Sequence, residues 1–139
     1  MSLVNIHDRL AVSAVLFAGV CTVWGFINYI RKQDMTSGYW GALVICEVLM
    51  ITQGVIGIIL AVQGSSPPRA IVHYLYGISA VISLPAVYVF TGGRDTRRES
   101  LLYAIVSLWL FGLAIRGITT GSEQQVTALL GAQSLMPLL

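Results

Sequence analysis

Four apolar runs, each close to the length of a membrane-crossing helix, fill most of this 139-residue chain. A hydrocarbon core about 30 Å thick takes roughly 20 apolar residues in a helix. The first run extends from about Leu10 to Ile30 and is closed by Arg31 and Lys32. The second extends from about Tyr39 to Val62 and gives way to a Gly-Ser-Ser-Pro-Pro stretch ending at Arg69. The third extends from about Ala70 to Thr91, before Gly92, Gly93, Arg94 and Asp95. The fourth extends from about Leu101 to Ile118, before Thr119, Thr120 and Gly121.

Composition agrees with a lipid environment. Apolar residues make up 56% of the chain and charged residues 10%, where a soluble domain carries about 25% charge. The mean hydropathy is +0.81. A water-soluble domain and a disordered chain are both excluded, because too little polar surface exists to cover the particle. The net charge is +2 and the basic residues are dispersed, so a nucleic-acid partner has no electrostatic footprint. The length allows one small membrane domain and leaves no room for a separate soluble catalytic one.

Short connections make sequential helices antiparallel neighbours. The expected fold is therefore all-α, an integral-membrane up-down four-helix bundle over residues 1–121. Pro67 and Pro68 suit a helix start, where the missing N–H does no harm. Pro85 falls inside the third span and is expected to kink it. Residues 122–139 form a different segment. Its leucines are broken by Gly131 and Pro137, which suits a surface-lying or partner-docking tail better than a fifth span. No short apolar core with a small-residue cleavage site stands out, so the first run reads as the first helix of the mature protein.

Basic residues set the expected orientation. Arg31, Lys32, Arg94, Arg97 and Arg98 gather at the end holding the two hairpin turns. Arg9 and Arg69 lie at the other end, with Arg116 in the last turn of the fourth span. Both termini are thus expected on the non-cytoplasmic side, in a membrane such as the bacterial inner membrane.

The first and third spans share a string. His7 is followed after five residues by Ser13-Ala14-Val15, and His73 after five residues by Ser79-Ala80-Val81. Two readings stay open: a duplicated helical hairpin, or chance among residues common in membrane helices. These are the only histidines in the chain. Each heads an odd-numbered span, so up-down topology puts both at one end of the bundle and at similar depth. In a four-helix ring those spans are diagonal. Two imidazoles facing across the interior suit a planar macrocycle held by two axial nitrogens.

Small residues lie below each histidine. Ala11, Ala14 and Ala18 continue the face of His7, and Gly77 and Ala80 that of His73. They would give a macrocycle room, and they equally suit close helix packing with no ligand. The histidines likewise admit two readings, paired ligands or unconnected interfacial side chains. Ionisable groups inside a span are functional candidates.

The strings Ile6-His7-Asp8-Arg9-Leu10-Ala11, Gln53-Gly54-Val55-Ile56-Gly57 and Val72-His73 resemble the four-helix b-type haem membrane proteins, most closely one half of haem A synthase. The resemblance covers the first three spans. It implies haem b held by His7 and His73, with both as ligands to the iron. The acidic residue which that family places three positions before a histidine falls on Val4 here. What carries over is the haem-holding fold and not the hydroxylating chemistry.

Other polar residues fill out the candidate site. Arg116 suits a haem propionate or simple snorkelling to the interface. Gln53 suits an interhelical hydrogen bond or the edge of the macrocycle. Glu47 is the one acid well inside a span, with Ser107, Thr22 and Asn28 as expected neighbours in depth. Cys21 and Cys46 form no CxxC pattern and read as small buried residues. No Gly-rich phosphate loop, catalytic triad or HExxH string is present.

The expected function is therefore electron transfer rather than catalysis, by a bis-histidine b-haem protein acting as a small subunit of a respiratory or photosynthetic complex. A quinone is a candidate partner. The alternative is a cofactor-free accessory subunit that packs against a larger membrane complex. A third reading, a transporter or quinone-site protein, centres on Glu47.

Overall fold

The computed structural model describes residues 2–67 and 69–135, with the side chains of 122–135 excepted. It contains four helices: α1 (Leu3–Ile30), α2 (Ser37–Val62), α3 (Ala70–Thr91) and α4 (Arg97–Leu135). All four are long and apolar enough to cross a membrane, the fourth through its Arg97–Gly121 portion. The chain is an integral-membrane helical bundle, as its apolar runs require.

Two helices begin earlier than their hydropathy. The Asn5 N–H bonds to the Ser2 hydroxyl at 3.2 Å, which caps α1 seven residues ahead of Leu10. Thr36 caps α2 in the same way, accepting from the Tyr39 N–H at 3.2 Å. A side-chain oxygen at this position satisfies one of the orphan donors of the first turn. His7 is consequently a helical residue in the second turn of α1. α3 ends at Gly92, whose left-handed backbone (φ 62°) a side chain would strain, and Gly93 follows with φ 73°. α4 does not break at Gly121 but continues as one helix to Leu135. The docking role expected for 122–139 lies outside the described side chains.

Each helix packs on its sequence neighbours and α4 closes the ring against α1, whereas the α1–α3 and α2–α4 pairs are diagonal: their backbones stay apart, and Trp40 of α2 meets Tyr103 of α4 through its ring alone, 5.2 Å between centres. α1 and α4 approach closely at Gly25. A β-carbon there would meet the Tyr39 hydroxyl and lie 2.8 Å from Ala104 Cβ. Only hydrogen fits. Tyr39 is fully buried and donates its O–H to the Cys21 carbonyl at 2.9 Å, tying α2 to α1.

The bundle is apolar outside as well as inside. Leu16, Val20, Ile45, Val62, Ile71, Val89 and Phe90 are all exposed. Water would penalise such a surface at about 25 cal/mol per Å², and lipid chains do not. The end with the two hairpin turns is latched by polar contacts. Arg97 donates from its backbone N–H to Asp34 Oδ1 and from Nε to the Tyr29 carbonyl, both at 2.8 Å. Its guanidinium lies 4.1 Å from the Tyr29 ring centre. Glu99, almost wholly buried, accepts from Arg94 Nε at 3.2 Å and from the Thr96 N–H at 3.1 Å. Nothing comparable is needed in the apolar middle, where packing carries the structure.

Candidate functional site

The two histidines meet. Their ring centres are 6.2 Å apart and their planes are tilted by 59°. Because α1 and α3 are diagonal, the rings meet by reaching inward from helices whose backbones stay apart.

A third residue fixes one ring. His73 Nδ1 lies 3.1 Å from Thr120 Oγ1. The same hydroxyl is 2.8 Å from the Arg116 carbonyl and 3.2 Å from the Gly117 carbonyl. A hydroxyl has one proton, and both carbonyls can only accept it. Thr120 therefore donates along its own helix and accepts from His73. In the tautomer with the proton on Nδ1, which this arrangement accommodates, the Nε2 lone pair of His73 is available as a ligand. His7 differs: its Nδ1 is buried with no hydrogen-bond partner. Glycines flank both rings. A β-carbon at Gly57 would be 3.7 Å from His7 Cε1, and one at Gly121 would be 3.4 Å from His73 Cε1.

Gln53 lies one turn along α2 from Gly57, on the interior side of the histidines, and its Oε1 is buried without a partner. Ala11 is half-buried below His7, and Ala14 is buried below it. On α3, Ala80 is buried, while Gly77 is exposed and a β-carbon on it would meet nothing within 4 Å. Arg116 is exposed on α4. It lines an apolar groove of about 490 Å³ with Tyr76, Trp109 and Leu113 on the outer surface between α3 and α4. The site thus gathers His7, His73, Gln53 and Ala11 toward the interior, with Arg116 one turn from Thr120 at its outer margin.

These residues suit a bis-imidazole metal centre. With bonds of about 2 Å and a ring centre roughly 1.1 Å beyond each nitrogen, two imidazoles trans on one metal have centres about 6 Å apart. The ring centres, 6.2 Å apart, are close enough for one metal to lie between them. No group of three or more His, Cys, Asp or Glu side chains that could hold a bare ion occurs among the described residues.

Glu47 stands apart from this site. Both its carboxyl oxygens are buried and neither has a hydrogen-bond partner. Of its expected neighbours, Thr22 instead donates to the Ala18 carbonyl at 2.8 Å, and Ser107 Oγ and Asn28 Nδ2 are themselves buried without partners. Cys21 and Cys46 are buried free thiols.

Sequence reasoning missed Thr120. It is 47 residues from His73, and a hydroxyl near the end of an apolar run carries no signal of its own. Comparison with known protein families, curated protein sequences and solved structures gives no match.

Proposed function

We propose that this chain is an integral-membrane b-type haem protein that transfers electrons, with His7 and His73 as the axial ligands. The observation that supports this reading is the 6.2 Å separation of the two rings across the interior of the bundle. On this reading Thr120 accepts from Nδ1–H of His73, with which it is in contact, and Nε2 is the ligating nitrogen. Ala11, Ala14 and Ala80 keep bulk away from the faces below the rings, and Gln53 offers a polar atom at their inner margin. Arg116 supplies a cation for an acidic substituent reaching the α3–α4 opening.

A haem bound by two imidazoles supplies one-electron redox chemistry with no open coordination position. The protein's part is to hold the rings, set the proton on His73 and exclude water with an apolar shell. Relay between partners in a larger membrane complex fits these properties better than oxygen chemistry does, and a quinone in the surrounding lipid is a suitable partner. The basic turn end is assigned to the cytoplasm by its excess of Arg and Lys, which puts the histidine end on the opposite side.

Purified protein expressed with a haem supply tests the reading. A reduced-minus-oxidised difference spectrum with b-type bands is expected, lost in both His7→Ala and His73→Ala. A chain that keeps its full haem complement after either substitution refutes the ligand assignment.

A further inference from the structure

The haem reading leaves Glu47 without a role, although its burial is the more costly one. Contacts between helix pairs fix its depth. Gly25 of α1 lies against Tyr39 of α2 and Ala104 of α4, Gly19 lies against Phe111, and Gly57 lies against His7. Along these antiparallel pairs Glu47 is level with about Leu16, the middle of α1 (Leu3–Ile30). The acid therefore sits near the bilayer midplane.

It does not sit alone in its chemistry. Asn28 Nδ2, Ser107 Oγ and Gln53 Oε1 are also buried without hydrogen-bond partners. By the same contacts Ser107 is level with about Thr22 and Gln53 with about Leu10. The sequence from the turn end inward is Asn28, Ser107, Glu47, Gln53. Successive members are about six residues apart in depth, or about 9 Å at 1.5 Å per residue. Buried polar atoms without protein partners cost a few kcal/mol each unless water satisfies them. Ionisable groups inside membrane spans characteristically serve proton movement.

We propose that Glu47 is a proton-binding site at the membrane midplane, reached by water from the turn end past Asn28 and Ser107. Uptake takes one proton from the aqueous phase at that end and forms the O–H bond of the neutral acid. Release returns the proton along the same path and leaves the carboxylate. Among the described residues no charged side chain hydrogen-bonds to it. The titratable groups on the two helices packed against α2 are His7, Cys21 and Tyr29 with the terminal Asp8, Arg9 and Arg31 on α1, and His73, Tyr74, Tyr76 and Tyr88 on α3. None of them hydrogen-bonds to Glu47. On α2 itself Cys46, Tyr39 and the neighbouring amide of Gln53 are equally without a bond to it.

This site does not depend on haem, so it is tested on the full chain in phosphatidylcholine nanodiscs by infrared spectroscopy in H2O and then D2O. A protonated-carboxyl band is expected that shifts on transfer to D2O and is absent from Glu47→Gln. Glu47→Asp should retain an exchanging band at a displaced frequency, which covers the case in which the glutamine variant folds poorly. Ser107→Leu should slow the exchange severalfold, while Val48→Leu, beside the acid on the lipid-facing side of α2, should leave its rate unchanged. A carboxyl band that never exchanges, or one that survives in Glu47→Gln, overturns the proposal. Exchange untouched by Ser107→Leu overturns the path of access. Loss of the haem reading leaves each of these outcomes readable.

Discussion

His7 and His73 hold their ring centres 6.2 Å apart although the backbones of the helices that carry them stay apart. Helix packing alone does not demand such an approach. The two side chains fill the gap between diagonal helices, where an apolar bundle would ordinarily place hydrocarbon. Thr120 then orients one of the rings from a third helix. Residues on α1, α3 and α4 thus converge at one end, and α2 contributes Gly57 and Gln53 beside them.

Thr120→Val should loosen the His73 ring while leaving the bundle intact. Removing an outer-shell partner of a metal-bound histidine costs about 10- to 100-fold in metal affinity. Haem transfer from the variant to apomyoglobin should accelerate accordingly, and its reduction potential should rise, because an imidazole that no longer donates from Nδ1–H is a weaker electron donor to iron. Thr120→Ser, which keeps the hydroxyl, should restore both properties.

Gly25→Ala should destabilise the bundle severely for one added methyl. Its β-carbon would collide with the Tyr39 hydroxyl and with Ala104. Overpacking of this kind costs about 1–3 kcal/mol, and displacing Tyr39 also endangers its bond to the Cys21 carbonyl, worth about 1 kcal/mol. Gly41→Ala is the control. A β-carbon there meets nothing within 4 Å, so the better helix propensity of alanine should make it neutral or stabilising by up to about 1 kcal/mol. Thermal unfolding in detergent followed by circular dichroism compares the pair.

Arg97→Ala should open the turn end without touching the histidines. The substitution removes the Nε bond to the Tyr29 carbonyl and the guanidinium stacked on the Tyr29 ring. The backbone bond from residue 97 to Asp34 remains possible. Losing a charge-assisted hydrogen bond costs about 1.5–3 kcal/mol. Limited proteolysis should cut the segment between α1 and α2 faster in the variant, with the haem spectrum unchanged.

The number of helices, their membrane-spanning length and their ring order were legible in the sequence, because hydropathy and short connections leave few other folds. Helix ends were less legible. Asn5, His7, Asp8 and Arg9 end the apolar run, yet the helix continues to Leu3 because Ser2 caps it. Hydropathy reports where lipid begins, and capping reports where the helix begins. At the other terminus, α4 passes Thr119, Thr120 and Gly121 without interruption. Depth read along one helix also misplaced a neighbour. Ser107 is as far along α4 as Glu47 is along α2, but the contacts at Gly19 and Gly25 offset the helices so that Ser107 falls more than a turn nearer the turn end. The pairing of His73 with Thr120, and the close approach at Gly25, depend on three-dimensional register and leave no spacing pattern to read.

The most direct test of the two-histidine centre is pulsed electron paramagnetic resonance on oxidised protein grown with nitrogen-15 histidine. Low-spin ferric iron coupled to two labelled histidine nitrogens is expected. A signal coupled to one labelled nitrogen or to none would contradict the assignment of His7 and His73 to a single iron.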